Sequence, residues 1–283
     1  IKEIGHAPPS VATIVVALLV AAIGFWLFVR RQRRLENPLL EFSILLTPAF
    51  SAGVLAAAFA MFAIGGIQLV TTQRFQQVVG FSPLEAGLLV AVIAVGSLPT
   101  ALLGGAFLHR VGLLALITGG LAVATGGVVV TVVGFQSSFG VLVLGLLVTG
   151  AGLGAAMSVA STAIIGNVPV RRAGMAASLE EVSYEFGSLI AVSVLGSLLT
   201  AIYTASVVLP NGAPAAAGDG IAEALEAAQG DAAIIQAAST AFDSACLVVM
   251  LVVAGVLAAA AVITGVLLRR YLPGTQSQLH SEH

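Results

Sequence analysis

An all-α polytopic membrane protein is the fold class this sequence predicts, on three observations. Of its 283 residues, 59% are hydrophobic and only 8% charged, where a soluble domain carries about 25% charged residues. Seven apolar stretches reach the length of about 20 residues that a helix needs to cross a hydrocarbon core about 30 Å thick. Basic residues gather at alternate ends of those stretches, which fixes an orientation in the bilayer.

The chain opens at Ile1, with Lys2, Glu3, His6 and two prolines before the first apolar run and no signal-peptide layout, so a piece of a longer polypeptide is expected. The first span, Val11 to Val29, runs into Arg30, Arg31, Arg33 and Arg34. The second, Ala49 to Thr71, and the third, Leu84 to Leu108, meet where Gly80, Ser82 and Pro83 mark a tight turn, with Pro83 opening the next helix. Pro99, after Gly96, predicts a kink inside the third span. That span ends in a short turn carrying His109 and Arg110, before the fourth, Leu113 to Val133.

The fifth span, Phe139 to Ile165, contains Gly145, Gly150, Ala151, Gly152, Gly154, Ala155 and Ala156. Small residues three and four apart let helix backbones approach closely in lipid, where apolar burial no longer drives association. The sixth, Ala173 to Tyr203, follows Arg171 and Arg172. The seventh, Thr240 to Leu268, has Asp243 near its outer end, an otherwise apolar face expected to meet lipid, and Arg269 and Arg270 behind it.

Nine of the eleven basic residues fall on one side if the spans alternate. That side is expected to be the cytoplasm, with the C-terminus inside the cell membrane. On the opposite side Ser206 to Ser239 carries Asp219, Glu223, Glu226 and Asp231 and no basic residue, and its helix-forming composition predicts a short surface helix. Such a loop serves either as ordinary solvated chain or as an attractor of cations.

Enzyme signatures are absent: no zinc-binding His-Glu-x-x-His, no Gly-x-Ser-x-Gly elbow, and no phosphate loop with its lysine, Lys2 being the single lysine. The four histidines, His6, His109, His280 and His283, sit outside the spans or at their edges, and Cys246 is a lone thiol. No metal, cofactor or nucleic-acid partner is expected.

The chemistry that remains lies in the sixth span, which takes Glu180, Glu181 and Glu185 into the bilayer. Glu181 is about 13 Å beyond Arg172 at 1.5 Å per residue, close to mid-depth. An ionised side chain there costs about 3 kcal/mol on insertion scales, so such residues face a wet cavity or exchange protons. Helical phase separates the acids. Ser178, Glu181, Glu185 and Ser188 form one stripe, and Glu180 lies about 100° away with Tyr184, Gly187 and Ala191. Two carboxylates one turn apart repel, so the pair is suited to trading a bound proton for a bound cation. The alternative is that the acids bond neighbouring helices or an arginine at the cytoplasmic end.

Three segments resemble the 14-helix drug:proton antiporters of the major facilitator superfamily, of the quaternary-ammonium and multidrug exporter type. QQVVGFSPLEAGL, Gln76 to Leu88, is similar to their junction of helices nine and ten. RRAGMAASLEEVSYEFGSLIAVSVLGSLL, Arg171 to Leu199, resembles helix thirteen, where paired glutamates, a tyrosine and a further acid precede a glycine. GGAFLHRVG, Gly104 to Gly112, looks like a degenerate copy of the superfamily's cytoplasmic loop motif, with His109 in place of an aspartate.

The resemblance implies that the seven spans are helices eight to fourteen and that the N-terminal half is missing. It makes residues 1–35 an extra peripheral transmembrane helix with a basic linker, and residues 36–283 the C-terminal six-helix domain with its external loop at 206–239. By it, the second, third, fifth and sixth spans line a cavity, and Phe59, Phe62, Gln68, Met157 and Tyr184 are candidate substrate contacts. The function implied is proton-coupled efflux of amphipathic, cationic compounds by alternating access. Substrate and proton would compete for Glu181, with Glu185 as relay and Glu180 as modulator. Two rival readings are an exporter of a lipid or amphiphilic metabolite, and a non-transporting membrane scaffold whose acids pair with a partner helix.

Overall fold

A computed structural model describes residues 11–32 and 47–269, all helix, turn or loop. Lys2, His6, Arg33, Arg34, Arg270, His280, His283 and the predicted domain boundary at 35/36 lie outside the described residues. The chain divides into two compact units, Ile1–Leu45 and Leu46–His283.

In the first unit α1, Val11–Gln32, is a single apolar helix. Val16, Val20, Ile23 and Leu27 are exposed, and the Arg30 guanidinium lies 5.1 Å from the centre of the Trp26 ring.

Among its described residues the second unit holds six helices long and apolar enough to cross a membrane: α2, Pro48–Gln77; α3, Pro83–Leu108; α4, Arg110–Gln136; α5, Phe139–Ile165; α6, Val170–Ser206; and, after the short α7, Ile221–Ala228, the long α8, Ala232–Leu268. The predicted spans therefore form helices. Pro48 opens α2, where its missing N–H has no intrahelical acceptor to lose. The predicted turn before α3 is closed by a reciprocal cap. The Ser82 hydroxyl accepts from the Glu85 N–H while the Glu85 carboxylate accepts from the Ser82 N–H at 2.8 Å, and Gly80 supplies a φ of 83°. Pro99 lies within α3, and Gly112, at φ 84° and ψ 164°, breaks the helical path in the first residues of α4.

Packing follows the small residues. A Cβ at Gly150 or Gly154 would run into the α3 backbone at Ile93 or Ser97, and one at Gly145 or Gly152 into α4 at Thr131 or Ala124. The predicted close-packing helix is thus held between two neighbours at backbone distance. α2 packs on α5 through Gly53, facing Ala160 and Ile164, and on α6 through Ala58, facing Gly187. α4 meets α8, with the Thr118 and Thr264 hydroxyls 3.4 Å apart.

α8 is buried along Val249, Val253 and Leu257 and exposed along Leu251, Val262 and Val266, so one face meets the bundle and the other the surroundings. It begins at Ala232, two turns before the predicted start, because Gln229 and Gly230 take positive φ and the Asp231 carboxylate caps Ala233 N–H at 2.9 Å. The predicted surface helix in the acidic loop is α7, which buries Ile221, Ala224 and Ala228. The loop is tied down where the Tyr203 hydroxyl donates to the Ala217 carbonyl at 2.9 Å.

Candidate functional site

α6 begins with one tight turn over Val170–Arg172, runs as α-helix from Ala173, widens into a π-helical turn over Ala191–Leu195, and resumes at Gly196. Ala176, Glu180, Ser183, Gly187 and Ala191 form its buried face. Glu181, Glu185 and Ser178 are exposed. The phase separation read from the sequence is therefore present, with the Glu180 stripe turned into the bundle and the Glu181–Glu185 stripe turned out of it.

Glu180 is 7% exposed, an unusual depth for a carboxylate in an apolar bundle. One carboxylate oxygen accepts from the Tyr184 hydroxyl at 2.6 Å and the other from the Ser161 hydroxyl at 3.2 Å. Tyr184 reaches it because residues four apart on a helix share a face. Ser161 reaches it from α5, so the acid bridges two membrane helices and both its oxygens are bonded. Buried polar groups satisfied in this way hold one arrangement firmly, and a group left unpaired would cost about 1–3 kcal/mol.

The predicted substrate contacts separate. Met157 lines a groove of about 540 Å³ between α2, α3 and α5, together with Ile64, Val90 and Ala94. Tyr184 is half-buried at Glu180, Phe59 is half-buried on the core, Phe62 is 9% exposed beside Gly187, and Gln68 is exposed. Among the described residues no three of His, Cys, Asp and Glu come together to hold a metal ion.

Two features carried no sequence signal. Ser161 is one of several hydroxyl residues on α5, and nothing in its spacing marks it as a carboxylate partner. At the opposite end of the bundle Arg74 of α2 donates to Asp243 of α8 through Nε at 2.8 Å and Nη2 at 3.3 Å. Its guanidinium also lies 4.8 Å from the Phe135 ring centre and 5.4 Å from that of Phe75. Asp243 was legible as the lone charge of its span, but its partner on another helix was not.

The sequence model described as Major Facilitator Superfamily matches residues 54–218. The multidrug efflux pump LfrA of Mycolicibacterium smegmatis is 28% identical over 283 residues, covering 95% of this chain and 55% of that protein. The methyl viologen resistance protein SmvA of Salmonella typhimurium is 29% identical over 213 residues, covering 74% and 42%. The multidrug resistance protein Stp of Mycobacterium tuberculosis is 30% identical over 198 residues, covering 70% and 37%. The chain thus spans about half the length of these relatives, or less. In fold it is similar to a bacterial homolog of the human lysosomal transporter Spinster, in an inward-facing and unoccupied conformation, with a TM-score of 0.63 at 20% identity over 81% of this chain and 49% of the other.

Proposed function

The chain belongs to the Major Facilitator Superfamily, and from that premise we propose that it is the C-terminal part of a 14-helix, proton-coupled exporter of amphipathic cations, working by alternating access. Drug efflux by a transporter of this superfamily agrees with relatives named for multidrug efflux and multidrug resistance. A cationic substrate is supported by the resemblance to a methyl viologen resistance protein, since methyl viologen is a dication, and by the acids of α6.

The observation that carries the reading is the exposure of Glu181 and Glu185 within a membrane-crossing helix beside the buried Glu180. Two carboxylates facing hydrocarbon would be costly. Their face is therefore read as the wall of a wet path, closed on its far side by transporter helices that this chain does not supply. There a cationic substrate and a proton compete for Glu181, Glu185 relays the proton, and Glu180 holds Tyr184 and Ser161 in register. Arg110, Arg171, Arg172 and Arg269 lie at one end of the bundle, and this bias supports the reading of that end as cytoplasmic, with the C-terminus inside.

The test is proton release on adding tetraphenylphosphonium to the complete purified transporter in weakly buffered detergent. A stoichiometric release that vanishes in Glu181→Gln is expected. No release from the unaltered protein would favour a non-transporting scaffold.

A further inference from the structure

α1 has 22 residues, about 33 Å at 1.5 Å per residue, enough to cross a hydrocarbon core about 30 Å thick. Val16, Leu19, Val20, Ile23, Trp26 and Leu27 are exposed, and at spacings of three and four they make one apolar stripe. The stripe ends on Trp26 and Arg30, whose ring and guanidinium are stacked at 5.1 Å. Tryptophan settles at the level of lipid headgroups, so the stacking sets the Arg30 charge at phosphate depth.

A guanidinium held by its face keeps the N–H groups around its edge for other partners. Arg74 is stacked in the same way, but its edge is taken up by the Asp243 carboxylate. Among the described residues no carboxylate is bonded to Arg30, and no acidic residue stands between Val11 and Leu35. Arg31 is exposed beside it, about 100° round the helix, and the sequence adds Arg33 and Arg34. Clustered arginines at the end of an apolar helix attract anionic lipid. A stripe of hydrocarbon leading to an unanswered guanidinium is the complement of a phospholipid, with an acyl chain along the stripe and the phosphate at Arg30.

We propose that the C-terminal end of α1 binds one anionic phospholipid, its phosphodiester bonded to the edge of Arg30 and to Arg31, its acyl chain lying along Val16, Val20, Ile23 and Leu27. Trp26 is the positioning residue, holding Arg30 back toward the bilayer. A zwitterionic lipid carries the same phosphate with a cation beside it, which two neighbouring arginines repel, so the site selects for net negative charge. It is independent of the acids of α6 and of the export reading.

The experiment is native mass spectrometry of the complete purified, delipidated transporter, titrated with phosphatidylglycerol or phosphatidylcholine. The first phosphatidylglycerol is expected to bind about tenfold more tightly than phosphatidylcholine. Replacing both arginines, Arg30→Gln with Arg31→Gln, should weaken it about twentyfold, roughly fivefold for each charge removed. Phosphatidylcholine binding by that variant, and phosphatidylglycerol binding by Arg269→Gln at the end of α8, should each stay within about twofold. Trp26→Leu keeps every basic residue, and with them the orientation in which α1 inserts. It should weaken phosphatidylglycerol about threefold, and it carries the test should the double variant fail to give monodisperse protein. Glycerol phosphate, a headgroup without acyl chains, should not displace the lipid. Equal binding of the two lipids by the unaltered protein, unchanged phosphatidylglycerol binding in both α1 variants, or a loss in Arg269→Gln as large as theirs overturns the assignment. Displacement by glycerol phosphate would make this a site for free phosphate esters and would equally overturn it.

Discussion

The Tyr184 hydroxyl and the Glu180 carboxylate are joined across 2.6 Å, one turn apart on α6, while Ser161 holds the other carboxylate oxygen from α5. The triad ties α5 to α6 through the Ser161–Glu180 bond alone, since the Tyr184–Glu180 bond lies within α6.

Tyr184→Phe keeps the ring and removes the donor. A buried carboxylate oxygen then loses its shorter bond, a loss of about 1–3 kcal/mol. Efflux in energised vesicles is expected to fall several-fold, with the protein still monodisperse by size exclusion. Ser161→Ala, which removes the longer bond, is expected to have the smaller effect.

Glu181→Gln and Glu185→Gln alter exposed groups, so neither should lower the thermal unfolding midpoint measurably. Proton-driven efflux is expected to drop at least tenfold in Glu181→Gln. Counterflow exchange of substrate without a proton gradient should survive in Glu185→Gln if that residue passes the proton on rather than meeting the substrate. Full proton-driven efflux by Glu181→Gln would remove the central claim.

The Arg74–Asp243 pair should register in a double-mutant cycle. Arg74→Ala and Asp243→Ala are each expected to destabilise the protein in detergent, and the double variant by less than their sum. The coupling should be about 1 kcal/mol for a part-buried pair with two contacts. Arg74→Lys should recover only part of it, since a lysine cannot form the two-point contact.

Gly187→Leu should abolish folded protein, because a side chain there would meet the Ala58 carbonyl and the α2 backbone around Phe62. Gly174→Ala, one turn into the same helix with open space around it, should be neutral or slightly stabilising. Expression with size-exclusion profiles separates the two outcomes.

The fold was legible because each of its causes is local. Span length, the glycine and alanine ladder of α5 and the Gly80–Ser82–Pro83 turn are all written along the chain, and each appears where the residues predict it. The two-faced placement of the acids was legible too, since phase on one helix needs only a period. Contacts between helices were not. Ser161 meets Glu180 and Arg74 meets Asp243 across 19 and 169 residues of sequence, and no periodicity carries that information. The extra turns at the start of α8 were missed for another reason: Ala232 to Ala238 reads as helix-forming loop, and only the cap at Asp231 joins it to the span.

The wide turn at Ala191–Leu195 solves a problem of phase. Gly187, Ala191, Leu195, Leu199 and Tyr203 are all buried, each four residues from the last. On a regular helix of 3.6 residues per turn, each step of four overshoots by about 40°, so Tyr203 would point nearly opposite Gly187. A turn closed over five residues winds less per residue and takes up part of that overshoot. The N-terminal half of α6 can therefore keep Glu180 inward while the C-terminal half keeps Tyr203 on the loop it anchors. Inserting one further residue between 191 and 195 would swing Tyr203 about 100° relative to Glu180, leaving no rotation of the helix that satisfies both ends.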